Sequence, residues 1–146
     1  MATRSARVAW NGTLQDGSGQ VEMTSSGVGT FAVSWPRRTS EDAEGTTSPE
    51  ELIAAAHASC FSMALSKEIA DAGGTPQALD VRADVHFGPD EKNGGFAITG
   101  IKLTVEGEVD GLDEATFKKA AEGAKGGCPV SKALTGTTIE VEASLA

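Results

Sequence analysis

The sequence predicts an α+β fold with largely antiparallel sheets. Three observations carry this expectation. Short stretches of alternating apolar and polar residues open and close the chain. One long segment between them has both a helix start and a helix stop signal. No βαβαβ rhythm appears anywhere, and the order reads βββ, α, ββ, αα, β. At 146 residues the chain is expected to form a single domain, 1–146. That length buries roughly two thirds of the unfolded surface without help from disulfides or metals.

The first strands are marked by Ala6, Val8 and Trp10, then Val21 and Met23, then Phe31, Val33 and Trp35. Gly, Asn, Asp and Ser clusters separate them, as in a meander. A polar loop covers 36–47; it opens with Arg37 and Arg38 and is acidic in its second half. The main helix starts at Ser48, a good N-cap, with Pro49 at the first helical position and Glu51 placed for a capping box. Leu52, Ile53, Ala56, Cys60, Met63 and Ala64 recur at three- and four-residue steps and predict the apolar stripe. The helix is expected to end near Ala72, because Gly73 and Gly74 supply a C-cap and Pro76 prevents continuation.

Alternation returns at Leu79, Val81, Ala83, Val85 and Phe87, and after a turn at 90–95 it resumes with Phe96 and Ile98. The phase slips at Gly100 before Ile101, Leu103 and Val105, which reads as a bulge. Asp113 caps a second helix with Phe117, Ala120, Ala121 and Ala124 on one face. Gly126 and Gly127 break it, Cys128-Pro129 opens a short third helix through Leu134, and Ile139, Val141, Ala143 and Leu145 mark the last strand.

Composition restricts function. Twelve basic and 21 acidic side chains leave a net charge of -9, which argues against nucleic acid or an anionic membrane as partner. Aromatics are scarce (five Phe, two Trp, no Tyr) while glycine is abundant at 18 copies, so the core is expected to be aliphatic and closely packed. No apolar run approaches the roughly 18 residues of a membrane span. Residues 1–10 hold Arg4 and Arg7 but no apolar signal-peptide region, so a cytoplasmic chain with reduced thiols is expected.

The two cysteines are the candidates for chemistry. Cys60 lies mid-helix and reads either as a small buried hydrophobe or as a reactive thiol. Cys128 stands at a helix start, where unpaired N–H groups and the helix dipole lower a thiol pKa. Two metal or hydrolase readings compete. His57 and Cys60 are spaced H-x-x-C, and His86 with Cys128 completes four potential zinc ligands, but no C-x-x-C pair is present. His57 as the base of a Cys-His hydrolase lacks any acyl-binding signature. Arg37, Arg38 and Glu50 are uninformative singly. Together with two cysteines they fit peroxide chemistry better: a thiolate needs a cation, a sulfenic acid needs a second thiol, and a carboxylate orients a guanidinium through a bidentate pair.

Segment 48–65 (SPEELIAAAHASCFSMAL) resembles the signature helix of the osmotically inducible protein C family (OsmC/Ohr), and 127–131 (GCPVS) resembles its second cysteine motif. Trp10-Asn11-Gly12 and the strand 95–98 are also similar, so the resemblance covers essentially the whole chain. His57 points to the OsmC branch rather than the organic hydroperoxide resistance branch, which typically has a tyrosine near that place. The resemblance implies antiparallel sheets wrapped around a long central helix, an intertwined homodimer, and a thiol peroxidase for organic hydroperoxides in stress defence. It implies Cys60 as peroxidatic cysteine, Cys128 as its resolving partner in a disulfide, Glu50 as the matching glutamate, and a loop arginine, for which Arg38 fits better than Arg37. It implies lipoyl-type dithiols as reductants and no haem, flavin or metal. A non-enzymatic hydrophobic-ligand module and a zinc-stabilised domain are the alternative classes. Glu50 and Cys60, ten residues apart, are about 15 Å apart along one helix. Glu50 therefore cannot serve Cys60 of its own helix, whereas a second, antiparallel copy can bring them together.

Overall fold

Strands β1 (Arg7–Asn11), β2 (Ser18–Glu22) and β3 (Thr30–Val33) form an antiparallel meander in the order β1-β2-β3. The structure, a computed structural model, describes all residues from Met1 to Ala146. It divides into two compact units, Met1–Leu52 and Ile53–Ala146. In the first unit Trp35 departs from the expected strand. Ser34 caps a one-turn helix, α1 (Trp35–Arg38), by accepting a hydrogen bond from the Arg37 N–H at 3.3 Å, and Pro36 fits its first turn. The apolar alternation runs on to Trp35, two residues beyond Val33, the last residue that pairs in the sheet.

Helix α2 (Pro49–Asp71) begins as its capping residues dictate. Ser48 Oγ accepts from the Glu51 N–H at 3.1 Å. The reciprocal half of the capping box is absent, because the Glu51 carboxylate takes the Thr47 hydroxyl instead. At the other end Gly73 adopts φ +90°, and the N–H groups of Gly74 and Gly73 donate to the carbonyls of Ile69 and Ala70, both at 2.9–3.0 Å. This pair of bonds closes the helix and needs a left-handed residue, which glycine supplies without strain.

The second unit is built on β4 (Thr75–Pro89) and β5 (Phe96–Asp110), a long antiparallel hairpin, with β6 (Ile139–Leu145) alongside β5. The slip expected at Gly100 is present: His86 pairs with Gly100 and Phe87 with Ile98, leaving Thr99 as the extra residue. Strand β6 pairs with β5 in parallel, so this sheet is mixed. The crossover that parallel pairing requires is supplied by α3 (Glu114–Gly127) and α4 (Pro129–Ala133). Asp113 caps α3, accepting from the Thr116 N–H at 2.8 Å, and Phe117, Ala120, Ala121 and Ala124 are its buried face.

The core joins Phe61, Leu65 and Ile69 of α2 to Leu103 and Val105 of β5 and to Phe117, Ala121 and Ala124 of α3. The buried residues of α2 in this core, with His57, run at four-residue steps: His57, Phe61, Leu65 and Ile69. This stripe is offset from the expected one, and Met63 is 74% exposed. Alanines lie on every side of the helix, so apolar periodicity did not single out a face. Gly107 belongs to the same core, since a Cβ there would meet the Phe117 ring at 2.8 Å. No helix is long and apolar enough to cross a membrane.

Candidate active site

Cys60 is carried by α2 and Cys128 by the junction of α3 and α4, and folding of the second unit packs Cys60 against the buried cluster that contains Cys128, close enough for each thiol to influence the other's ionisation. Cys60 is half-buried and Cys128 fully buried, and neither is in a disulfide. Cys128 closes α3 with its N–H on the Ala124 carbonyl at 2.8 Å and caps α4, its sulfur accepting from the Ser131 N–H at 3.5 Å. Burial opposes ionisation of Cys128, but hydrogen bonds from Cys60 and from the Ser131 backbone and side chain outweigh it, and the thiol sits below its usual pKa. Because α4 is only five residues long, these hydrogen bonds carry the effect that the sequence assigned partly to a helix dipole. Burial pushes the Cys60 thiol up, as does its hydrogen bond to Cys128, with a partial offset from the Val130 backbone. None of these groups is a cation.

The first unit holds a cation of the right kind. Arg38 Nε reaches both Glu50 carboxylate oxygens, at 3.0 and 3.2 Å, and its Nη2 reaches Oε1 at 2.7 Å. Glu50 is buried and Arg38 partly exposed, with the guanidinium 5.9 Å from the centre of the Trp35 ring. Such a fork-to-fork pair fixes the plane of the guanidinium. Arg37 turns elsewhere, to the Glu44 carboxylate and, at 3.4 Å, to the Asp42 carbonyl. Of the two arginines, only Arg38 pairs with Glu50. Beside Arg38 lies an apolar cavity of about 600 Å³, lined by Val8, Trp10, Leu14, Val33, Trp35 and Leu52 among others. Phe61, next to Cys60 in the chain, is sealed in the core of the second unit.

The zinc candidates do not assemble: nowhere do three or more His, Cys, Asp or Glu side chains converge in a metal-holding arrangement. His86 is on the exposed side of β4. His57 is fully buried, with Nε2 2.6 Å from Ser131 Oγ and Nδ1 unpartnered. Ser131 was visible in the second cysteine motif but carried no assigned role; its position three residues after the capping Cys128 is the available signal.

Burial lowers the His57 pKa below its ordinary 6.5. The unfolded chain therefore binds a proton at a pH where the folded chain does not, and stability falls as pH drops below about 6.5. Denaturant midpoints measured from about pH 7.5 to pH 5.5 are expected to fall in the native protein and to fall less in His57→Gln. Parallel pH profiles would reject this assignment.

The sequence model of the family described as OsmC-like protein matches residues 41–143. The chain is 46% identical to peroxiredoxin OsmC of Escherichia coli (strain K12) over 125 residues, 86% of this chain and 85% of that protein. It is 36% identical to the organic hydroperoxide resistance protein OhrA of Bacillus subtilis (strain 168), covering 67% of this chain and 69% of that one. The crystal structure of an organic hydroperoxide resistance protein from Elizabethkingia anophelis superposes with a TM-score of 0.76 at 26% identity, covering 99% of both chains. That of OhrB of Bacillus subtilis gives 0.72 at 29% identity, covering 97% of this chain and 98% of that one. With a match over most of its length, and with two cysteines set as the family motifs anticipate, the chain belongs to the OsmC-like protein family.

Proposed function

We propose that this protein is a thiol-based peroxidase of organic hydroperoxides. The observation that carries the reading is the approach of Cys60, from α2, to the buried cluster that holds Cys128, which brings two thiols from distant parts of the chain within each other's electrostatic reach. The Cys60 thiolate attacks the terminal peroxide oxygen, the O–O bond breaks, and the alkoxide leaves and is protonated to the alcohol. Cys60 becomes a sulfenic acid, two electrons more oxidised. Cys128 sulfur then attacks the Cys60 sulfur, the S–S bond forms, and the S–O bond breaks with loss of water. A dithiol of the lipoyl type restores both thiols by exchange.

Arg38, held by Glu50, is the cation that keeps Cys60 ionised during attack. Because Glu50 and Cys60 are about 15 Å apart along α2, Arg38 and Glu50 of one copy serve Cys60 of a second copy, and the working unit is a homodimer. The exposed apolar surface of the first unit supports this: Val8, Trp10 and Leu14 are 54%, 42% and 55% exposed. An apolar surface of this kind is normally covered by a partner. A cytoplasmic setting, where thiols are kept reduced, completes the reading.

The cavity beside Arg38 sets the substrate. Burial contributes about 25 cal/mol per Å², so a tert-butyl or cumyl group gains about 1–3 kcal/mol if held in the transition state. Hydrogen peroxide has no such surface. With dihydrolipoamide as reductant, kcat/KM for cumene hydroperoxide is expected to exceed that for hydrogen peroxide by about 5- to 150-fold. Thioredoxin is expected to support turnover poorly by comparison. Preference for hydrogen peroxide would show that the cavity takes no part in binding, and no consumption of either peroxide would favour a ligand-binding module.

A further inference from the structure

Between Cys128 and α2 lies a buried polar pair that the peroxidase chemistry leaves unused. His57 and Ser131 are 0% and 4% exposed, and Cys128 beside them is 0% exposed. His57 Nε2 and Ser131 Oγ are 2.6 Å apart, a short contact between side chains from α2 and α4. Ser131 in turn holds Cys128: its N–H donates to the Cys128 sulfur at 3.5 Å.

The proton count along this chain fixes its direction. Ser131 has one hydroxyl proton. If that proton points away from His57, the Ser131 oxygen accepts from His57 Nε2–H, and His57 Nδ1 is a bare lone pair. If Ser131 instead donates to His57, Nε2 is the acceptor, and Nδ1 carries an N–H with no partner. A buried donor without a partner is the rarer and costlier fault of the two. The pair is therefore assigned the tautomer with the proton on Nε2, and His57 donates to the Ser131 oxygen while the Ser131 N–H donates to the Cys128 sulfur.

We infer that His57 is a positioning residue for Cys128, acting through the Ser131 hydroxyl, and that it speeds the resolving step rather than the attack on peroxide. The inference rests on the roles proposed above for the two cysteines. Its physical basis is simple. In the resolving step the nucleophile is the Cys128 sulfur, and the Ser131 N–H that donates to that sulfur stabilises its anionic form and fixes the first turn of α4. His57 supplies the rigidity, because a serine hydroxyl otherwise rotates freely. As the disulfide forms, the thiol proton of Cys128 leaves with the Cys60 hydroxyl as water, so atoms and electrons balance without a further reactant.

The test uses His57→Leu and Ser131→Ala, which remove the His57–Ser131 hydrogen bond, and His57→Gln, whose amide N–H restores it. The first measurement is the pH profile of Cys128 alkylation in reduced protein, resolved by peptide mapping. Its midpoint is expected to move up in His57→Leu and Ser131→Ala and to return toward the native value in His57→Gln. The second measurement is single-turnover oxidation by cumene hydroperoxide. The rate of Cys60 oxidation is expected to be unchanged, while the rate of Cys60–Cys128 disulfide formation falls about tenfold or more in the first two variants. An unmoved alkylation midpoint would overturn the inference whatever the peroxide kinetics show. So would equal slowing of both steps, or failure of His57→Gln to restore either measurement while remaining folded. If the native protein forms no Cys60–Cys128 disulfide, the peroxidase reading fails instead, and the alkylation profile still decides whether His57 acts on Cys128.

Discussion

Cys60→Ser is expected to abolish peroxide reduction, because only a thiolate attacks the O–O bond at a useful rate. Cys128→Ser is expected to behave differently. It reacts once, since Cys60 is intact, and the sulfenic acid then finds no second thiol at the position Cys128 occupies. Further peroxide carries Cys60 to the sulfinic and sulfonic acids, so the variant gains oxygen mass on Cys60 and stops turning over. Intact-mass spectra after successive equivalents of cumene hydroperoxide distinguish the two. Native turnover in Cys60→Ser would end the peroxidase reading, and native turnover in Cys128→Ser would remove Cys128 from the cycle. Neither substitution is expected to unfold the protein, because serine is close to cysteine in size and Cys60 is only half-buried.

The second large effect is expected at Arg38. Burial and the interaction with Cys128 hold the Cys60 thiol up, and in the mechanism proposed above Arg38 supplies the cation that favours its ionisation. Arg38→Ala is expected to raise the pH midpoint of Cys60 alkylation and to slow peroxide attack by about tenfold or more. Arg38→Lys is expected to restore little, because an ammonium cannot form the forked pair with Glu50. Arg37→Ala removes only contacts to Glu44 and Asp42 in an exposed loop and is expected to change the rate by a small factor. Equal losses at the two arginines would contradict the assignment.

What the sequence made legible was mostly local. Ser48 and Pro49 start α2, Gly73 ends it, Asp113 caps α3, and the phase slip at Gly100 marks the bulged Thr99, because each is decided by a few neighbouring residues. Cys128 as a capping residue was legible for the same reason. The misreadings have equally specific causes. The stripe of α2 was misplaced because its many alanines are apolar without choosing a side, so His57 escaped notice as part of the buried face. The parallel pairing of β6 with β5 depends on where the α3–α4 crossover returns the chain, which no local pattern states. Between the two arginines, sequence had only spacing to offer. The structure adds a pairing that spacing could not give: Glu44 engages Arg37, and Arg38 pairs with Glu50. The link from His57 to Cys128 through Ser131 joins residues from opposite ends of the second unit and exists only once α2 and α4 have packed.

The central claim is that Cys60 and Cys128 form one redox pair driven by an organic hydroperoxide. The most direct measurement is free-thiol counting with peptide mapping on reduced protein, before and after one equivalent of cumene hydroperoxide per chain. The expected result is rapid loss of both thiols and a single new linkage, Cys60 to Cys128 within one chain, reversed by dihydrolipoamide. Peroxide consumed while both thiols persist, or a linkage that joins cysteines of different chains, would contradict it.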